Sequence, residues 1–166
     1  MRLKILVATA VVLAAAAVEA PHALAYDPAT YTTPIAYQCY PITKGYGYGS
    51  HTWGENAYAL DVGTPSGTPV FATKNGWIAY EGWEGVGGIV IRINHDDGLQ
   101  TFLAHLSQTI INTGDFVYQN QLIGYSGATG DVTGPHLHWA LKDLSTGWGV
   151  PLDYIPGVYY PYWVCP

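Results

Sequence analysis

Charged side chains are scarce in this 166-residue chain, where they make up 11% of the residues against roughly a quarter in ordinary soluble domains. Basic residues are the rarer kind, with 6 Lys and Arg against 12 Asp and Glu and a formal net charge of −6. Because a nucleic-acid-binding surface is basic, this balance argues against a nucleic-acid partner. Intrinsic disorder is excluded as well, since 49% of the residues are hydrophobic and 14% are aromatic.

Helical periodicity is also missing from the chain, because no 15-residue window repeats apolar residues at helical spacing. Short aromatic or β-branched runs, separated by Gly and Pro, stand in its place. The candidate strands are 57–62, 69–73, 76–81, 89–94, 100–106, 121–125 and 136–141. Asp97-Gly98 and the glycine-rich segment 82–88 lie between such runs and are typical of hairpin turns. The pattern predicts an all-β, single domain of antiparallel sheets.

Only one long apolar run is present, at residues 5–18, and it follows the basic residues Arg2 and Lys4. Ala23 and Ala25 are the small residues that a signal peptidase reads, so the sequence predicts a signal peptide over 1–25. The alternative, a membrane anchor, is disfavoured because the run is shorter than the roughly 20 residues that span a bilayer. Cleavage would leave 141 residues with a net charge of −7 and no membrane span.

Cysteine is nearly absent, with Cys39 and Cys165 the only two. Their separation excludes a cysteine-based zinc site, which needs close pairs. In the oxidising compartment that export implies, the sequence predicts a disulfide between them. Two free or intermolecular thiols are the alternative left open.

Histidine and aspartate supply the candidate chemistry. His136 and His138 are spaced to point to the same face of a strand, and His105 interrupts another apolar run. Asp61 ends an apolar run, where a carboxylate is costly unless paired or ligating, and His51 follows a glycine-rich loop. Two histidines with one carboxylate form a common catalytic zinc set, although each histidine alone would more often be structural.

Several motifs, in order, resemble those of the lysostaphin-type (LytM-like) zinc metalloendopeptidases. The motifs are Ser-His-Thr-Trp-Gly at 50–54, Ala-Tyr-Ala-Leu-Asp-Val at 57–62, Pro-Ser-Gly-Thr-Pro-Val-Phe-Ala at 65–72, Ala-His-Leu at 104–106, Gly-Tyr-Ser-Gly-Ala-Thr-Gly at 124–130, and Thr-Gly-Pro-His-Leu-His-Trp at 133–139. The resemblance covers about residues 41–142. It implies a β-sheet domain whose zinc site lies in a loop-walled cleft.

The resemblance also implies residue roles. His51, Asp61 and His138 would hold one Zn²⁺ per chain, and His105 and His136 would be catalytic. One departure is the spacing of nine residues between His51 and Asp61, where many members have fewer, and the extra residues are expected to alter the substrate groove.

The expected organisation is a signal peptide (1–25), an extended lead-in (26–40) and a peptidase domain with an aromatic C-terminal tail (41–166). By resemblance, the protein is secreted, extracellular or periplasmic, and hydrolyses peptide bonds in peptidoglycan cross-links. The expected form is a monomer with the Cys39–Cys165 disulfide. The alternatives are a non-hydrolytic wall-binding or regulatory protein, a zinc DD-carboxypeptidase-like enzyme, and an endopeptidase acting on other proteins.

Overall fold

The computed structural model describes residues 26–166, which form an antiparallel β-structure of eleven strands and four short 3-10 turns. The strands are β1 (Tyr40–Lys44), β2 (Leu60–Val62), β3 (Pro69–Phe71), β4 (Gly76–Trp83), β5 (Ile89–Asn94), β6 (Leu99–Thr109), β7 (Phe116–Val117), β8 (Leu122–Ser126), β9 (Leu137–Asp143), β10 (Val158–Tyr159) and β11 (Trp163–Val164). The prediction of an all-β antiparallel fold is confirmed.

Strand β6 organises the sheet, whose order is β10-β11-β1-β2-β9-β6-β5-β4-β7. The first half of β6 pairs with β9 up to Ala104, and its second half pairs with β8 from Leu106 onward. Strand β8 also pairs with β3. The change of partner falls at His105, so the sheet opens at this residue.

Each of the seven predicted strands overlaps an observed strand, and 89–94 coincides with β5. Segment 57–62 is only half extended, because the Ala57 N–H donates to Gly54 O at 3.2 Å and Tyr58 has a φ of +68°. The chain therefore turns here before β2 begins. Both predicted hairpins are present, since β4–β5 and β5–β6 pair antiparallel across 82–88 and Asp97-Gly98.

Alternation along β9 separates the hydrophobic core from the opposite face of the sheet. Leu137, Trp139 and Leu141 belong to the main core and are at most 1% exposed. Ala140 belongs to a second, smaller cluster on the other side, together with Ala59, Val90, Phe102 and Ala104. His138 lies on this second side, so the small residues around it form the floor of a depression.

The lead-in and the C-terminal tail meet on the body of the domain. The Tyr31 hydroxyl donates to both carboxylate oxygens of Asp97 (2.8 and 3.1 Å), and the Thr33 hydroxyl donates to Cys165 O at 2.7 Å. Cys39 and Cys165 form a disulfide, which confirms that prediction. The predicted signal peptide lies outside the described residues. Within 26–166, the helices are all too short to cross a membrane.

Candidate metal centre and active-site cleft

The register of three strands builds the centre of the site. Asp61 on β2 lies directly opposite His138 on β9, and His138 lies opposite Ala104 on β6. Directly opposed residues of antiparallel strands project from the same face, so Asp61 and His138 meet. His138 Nδ1 lies 2.8 Å from Asp61 Oδ1, and both residues are buried.

His51 reaches the same carboxylate from the 3-10 turn Gly49–Thr52. Its ring is 1% exposed, and Nε2 lies 3.2 Å from Asp61 Oδ1. That contact lacks hydrogen-bond geometry, and among the described residues neither ring nitrogen has a hydrogen-bond partner. Buried polar atoms without a partner are rare and need an explanation.

His51, Asp61 and His138 therefore form one candidate ligand set, with their ligand atoms within 4.8 Å of one another. Burial raises the pKa of the Asp61 carboxyl, but the hydrogen bond with His138 and the close approach of His138 and His51 outweigh burial and hold the pKa well below its usual range. Burial lowers the pKa of the His138 imidazole. At neutral pH the set thus consists of a carboxylate and a neutral His138, the forms that bind a metal.

His105 lies beside this set on an irregular stretch of β6. Its φ is +63°, a left-handed conformation that costs a non-glycine residue about 1–3 kcal/mol. The pairing of β6 with β5 is irregular here, because one residue of β5, Val90, faces two residues of β6, Ala104 and His105, as in a β-bulge. The bulge turns the His105 side chain into the cleft.

His105 and His136 are oriented by backbone carbonyls. His105 Nδ1 lies 3.0 Å from Thr129 O, and His136 Nδ1 lies 3.0 Å from Gly134 O. Because a carbonyl only accepts, each Nδ1 carries the proton, and each Nε2 is left as the basic nitrogen. The two rings are 4.6 Å apart between centroids, and His136 Nε2 lies 3.7 Å from Asp61 Oδ1. Burial lowers the pKa of His105, which keeps this ring in its basic form at neutral pH.

All five predicted residues thus converge in one place. The model of peptidase family M23 matches residues 55–150, more than half of the chain. The chain belongs to peptidase family M23. His51 lies just before the matched range, but the structure brings it to Asp61 and His138.

Known peptidases are similar to the chain in sequence and in fold. The chain is 37% identical over 119 residues to the DD-carboxypeptidase/endopeptidase Mpg of Neisseria meningitidis, a match that covers 70% of this chain and 26% of the relative. The catalytic domain of the antimicrobial peptidase lysostaphin from Staphylococcus simulans is 38% identical with a TM-score of 0.55, covering 65% of this chain and 88% of that domain. A zinc-containing peptidase from Vibrio cholerae is 26% identical with a TM-score of 0.63, covering 73% of this chain and 38% of the other. The chain spans about a quarter of the length of the curated relatives it matches first.

The M23 site lies in a cleft of about 580 Å³. Its walls carry both charge signs, with the acids Glu55, Glu84 and Asp131 and the cation Lys44. Lys44 lies opposite Asp61 in the β1–β2 pairing, and its Nζ is 3.5 Å from Asp61 Oδ2.

A divalent cation fits this M23 donor set. His138 faces an acceptor at each ring nitrogen, because Nδ1 lies 2.8 Å from Asp61 Oδ1 and Nε2 lies 3.0 Å from the Asn56 Oδ1. A neutral imidazole donates only one hydrogen bond, so one of these two acceptors would face a ring nitrogen that carries no proton. A cation between Nδ1 and Asp61 removes this mismatch. The unpartnered Nε2 of His51 points to the same carboxylate. Two histidines and one carboxylate suit zinc.

Sequence reasoning missed two residues that line the cleft and one residue that orients a catalytic candidate. Lys44 and Asn56 lie in the cleft, and Thr129 orients His105. The segment between His51 and Asp61 is longer than in many members of the family, and this extra length was the signal that could have led to Asn56. His95, the remaining histidine of the described chain, is buried away from the site and bonds to Asn75 O and the Thr101 hydroxyl.

Proposed function

We propose that the protein is an exported zinc endopeptidase that hydrolyses peptide bonds in peptidoglycan cross-links. The observation that carries the proposal is the convergence of His51, Asp61 and His138 beside two histidines whose Nε2 atoms are basic. A structural zinc site is normally closed by four protein ligands, whereas three ligands with one open position are typical of catalysis. Two members of the set, Asp61 and His138, line a cleft together with His105 and His136, which supports catalysis as well.

His51, Asp61 and His138 would hold the ion through Nε2, Oδ1 and Nδ1, the atoms that converge. Zinc in such a site lowers the pKa of water toward 7 and polarises a carbonyl. Buried apolar residues, among them Ala104 and Ala140, lie on the same side of the sheet as His138, and such surroundings would strengthen the electrostatic interactions within the site.

His136 and His105 would move the protons. The Nε2 atom of His136, which lies nearer the carboxylate, accepts the proton of the attacking water. The protonated His136 ring would then return this proton to the leaving amine, and His105, whose ring centroid lies 4.6 Å away, would assist the transfer as a second base through its Nε2. Both rings hold their orientation through a bond from Nδ1–H to a backbone carbonyl, so neither needs to reorganise during the reaction.

The substrate is inferred from the family resemblance and from the relatives named for D,D-bonds and for antimicrobial peptidase action. The chain carries a net charge of −6, so long-range attraction to anionic wall polymers would contribute little. Substrate recognition would therefore depend on short-range contacts in the cleft.

A carboxypeptidase is the second candidate, and Lys44 favours it. Its ammonium group lies 3.5 Å from the Asp61 carboxylate, near enough to the reacting atoms to hold the terminal carboxylate of a substrate. Product analysis on purified peptidoglycan separates the two activities. Opened cross-links support the endopeptidase, whereas release of a single C-terminal D-alanine supports the carboxypeptidase.

Substitution of two histidines tests the proposed roles. We expect His138→Ala to lose both zinc and activity, because it removes a ligand. We expect His105→Ala to retain zinc and to lose activity by about 10²–10⁴-fold, the usual contribution of proton transfer. Zinc is measured by mass spectrometry of the purified protein, and activity by release of muropeptides.

Tyr154→Ala is the control, since Tyr154 is 69% exposed and lies outside the cleft. It should match the unsubstituted protein in both measurements. Chelation should abolish activity, and added zinc should restore it. Equal zinc content and equal activity in the His105→Ala and His138→Ala proteins would contradict the assignment of roles.

Export, a single peptidase domain and a monomeric state belong to the same proposal. The intact mass of the exported protein should correspond to a chain that begins at Tyr26, after the predicted cleavage. Sedimentation should give the mass of one chain. An uncleaved product would contradict the predicted signal peptide.

A further inference from the structure

The segment between His51 and Asp61 places one side chain, that of Asn56, in contact with the metal centre. Within this segment, Asn56 ends the 3-10 turn Gly54–Asn56, and its Oδ1 lies 3.0 Å from His138 Nε2. The carboxamide is partly buried in the cleft wall. It contacts the nitrogen of His138 that faces away from Asp61.

From this contact we infer that Asn56 is a positioning residue of the metal centre, which fixes His138 in the tautomer that binds through Nδ1. The carboxamide oxygen accepts the Nε2–H hydrogen bond, so the lone pair of the ring is left on Nδ1 beside Asp61. A partner on the second ring nitrogen of a metal-binding histidine commonly fixes its tautomer and raises its basicity. The inference rests on the proposed zinc function.

Asn56 itself is held by its neighbour Glu55. Both oxygens of Glu55 accept hydrogen bonds of 3.0 Å from Arg92, and Oε2 accepts another from Lys142 at 3.0 Å. Arg92 lies 4.0 Å above the Phe102 ring, and that ring also contacts His138. A continuous set of contacts therefore connects the segment to the ring it supports.

The backbone fixes the other side of the turn. The Gly149 N–H donates to Gly54 O at 2.9 Å, and the Ala59 N–H donates to Asn56 O at 3.0 Å. A side chain at position 149 would collide with Ala57 O, so glycine is required for this close approach. The turn is thus anchored at both ends, and the carboxamide has little freedom to move.

Two substitutions at position 56 separate hydrogen bonding from shape. Asn56→Leu keeps the size and removes the acceptor, whereas Asn56→Asp keeps an acceptor at the same place. We expect Asn56→Leu to weaken zinc binding by about 10–100-fold and Asn56→Asp to retain the unsubstituted affinity or exceed it. Affinity is measured by competition with a chelating dye, without reference to activity.

A spectroscopic measurement reports the tautomer directly. Long-range proton–nitrogen correlation spectra of the zinc-loaded protein should show a proton on His138 Nε2 and zinc on Nδ1. In Asn56→Leu we expect exchange broadening or a mixture of ligation states for His138, with the His51 signals unchanged. A merely structural loss would not single out one ring.

Asn112→Leu is the matched control, because Asn112 lies in an exposed turn, where its side chain contacts Asp115. It should bind zinc like the unsubstituted protein. Unchanged affinity in Asn56→Leu, or equal losses of affinity in Asn56→Leu and Asn56→Asp, would overturn the inference. Failure of the unsubstituted protein to bind zinc would instead overturn the proposed function.

Discussion

His105 depends for its orientation on a single neighbouring residue, Thr129. The Thr129 carbonyl accepts the His105 Nδ1–H bond, while the Thr129 hydroxyl donates to Leu106 O at 2.6 Å and accepts from Ile89 N–H at 2.9 Å. One side chain therefore connects the loop after β8 to two strands and holds the carbonyl in place. His105 can maintain its strained φ of +63° only because such surroundings determine it.

We expect Thr129→Val to reduce activity about tenfold while leaving zinc content unchanged. The substitution keeps the shape but leaves two backbone groups without a partner, at a cost of about 1–3 kcal/mol each where buried. The carbonyl that orients His105 then shifts. Steady-state kinetics and zinc analysis check this outcome, with Thr146→Val in an exposed turn as control. Loss of zinc together with activity would contradict the argument.

Sequence reasoning found the five side chains of the candidate site but none of the contacts that orient them. Histidine and aspartate stand out within apolar runs, because burying them is costly without a function. Thr129 and Asn56 carry no such signal, since their role depends on which backbone or ring lies within 3 Å in the folded chain. The assignment of ligand and catalytic roles stays a prediction until the variants are measured.

Among the structural elements, the segment between His51 and Asp61 is held in part by the ion pairs of Glu55 with Arg92 and Lys142. Hydrogen bonds from Arg92 lower the pKa of Glu55, burial opposes them, and Lys142 adds to the lowering, with a net result of about 2 from a usual value of 4.5. Because the folded state lowers this pKa, the carboxylate stabilises the fold fully above about pH 4.5. That stabilisation is lost as the pH falls from about 4.5 toward about 2.

We expect Glu55→Gln to lower the free energy of unfolding by about 1–2 kcal/mol at neutral pH, a value reduced by the partial exposure of the carboxylate. The difference from the unsubstituted protein should shrink as the pH falls below about 4.5, since protonation then removes the same charge. Urea unfolding at a series of pH values measures both proteins. A difference that grows on acidification would contradict the prediction.

Strands were predictable where they are long and β-branched, and hairpins where turn residues mark them. Strands β7, β10 and β11 have two residues each, too few to show a period. The irregular register at His105 could not be predicted either, because it arises from the pairing of β6 with β5, where one residue faces two, and not from the local sequence of either strand. That irregularity places a catalytic candidate in the cleft, so the unpredicted part of the fold is also the functional part.

At the scale of the whole molecule, the lead-in and the C-terminal tail of the described chain lie against each other. The disulfide joins residues 126 positions apart, and β1 pairs with β11 on one edge and with β2 on the other. Strand β2 carries Asp61, so β1 lies between β11, which ends next to Cys165, and the strand of the metal centre. Neither cysteine lines the cleft.

We therefore expect loss of the disulfide to weaken the fold without changing the site. A loop of this length restricts the unfolded chain by about 4–5 kcal/mol in the chain-entropy model. The double variant Cys39→Ser, Cys165→Ser should lose about that much free energy of unfolding in urea, yet bind zinc with unchanged stoichiometry where it remains folded. A reducing agent should lower the stability of the unsubstituted protein to the same level and leave the double variant unaffected. If the folded double variant failed to bind zinc, the tail and the metal centre would be coupled through β1, and their independence would be wrong.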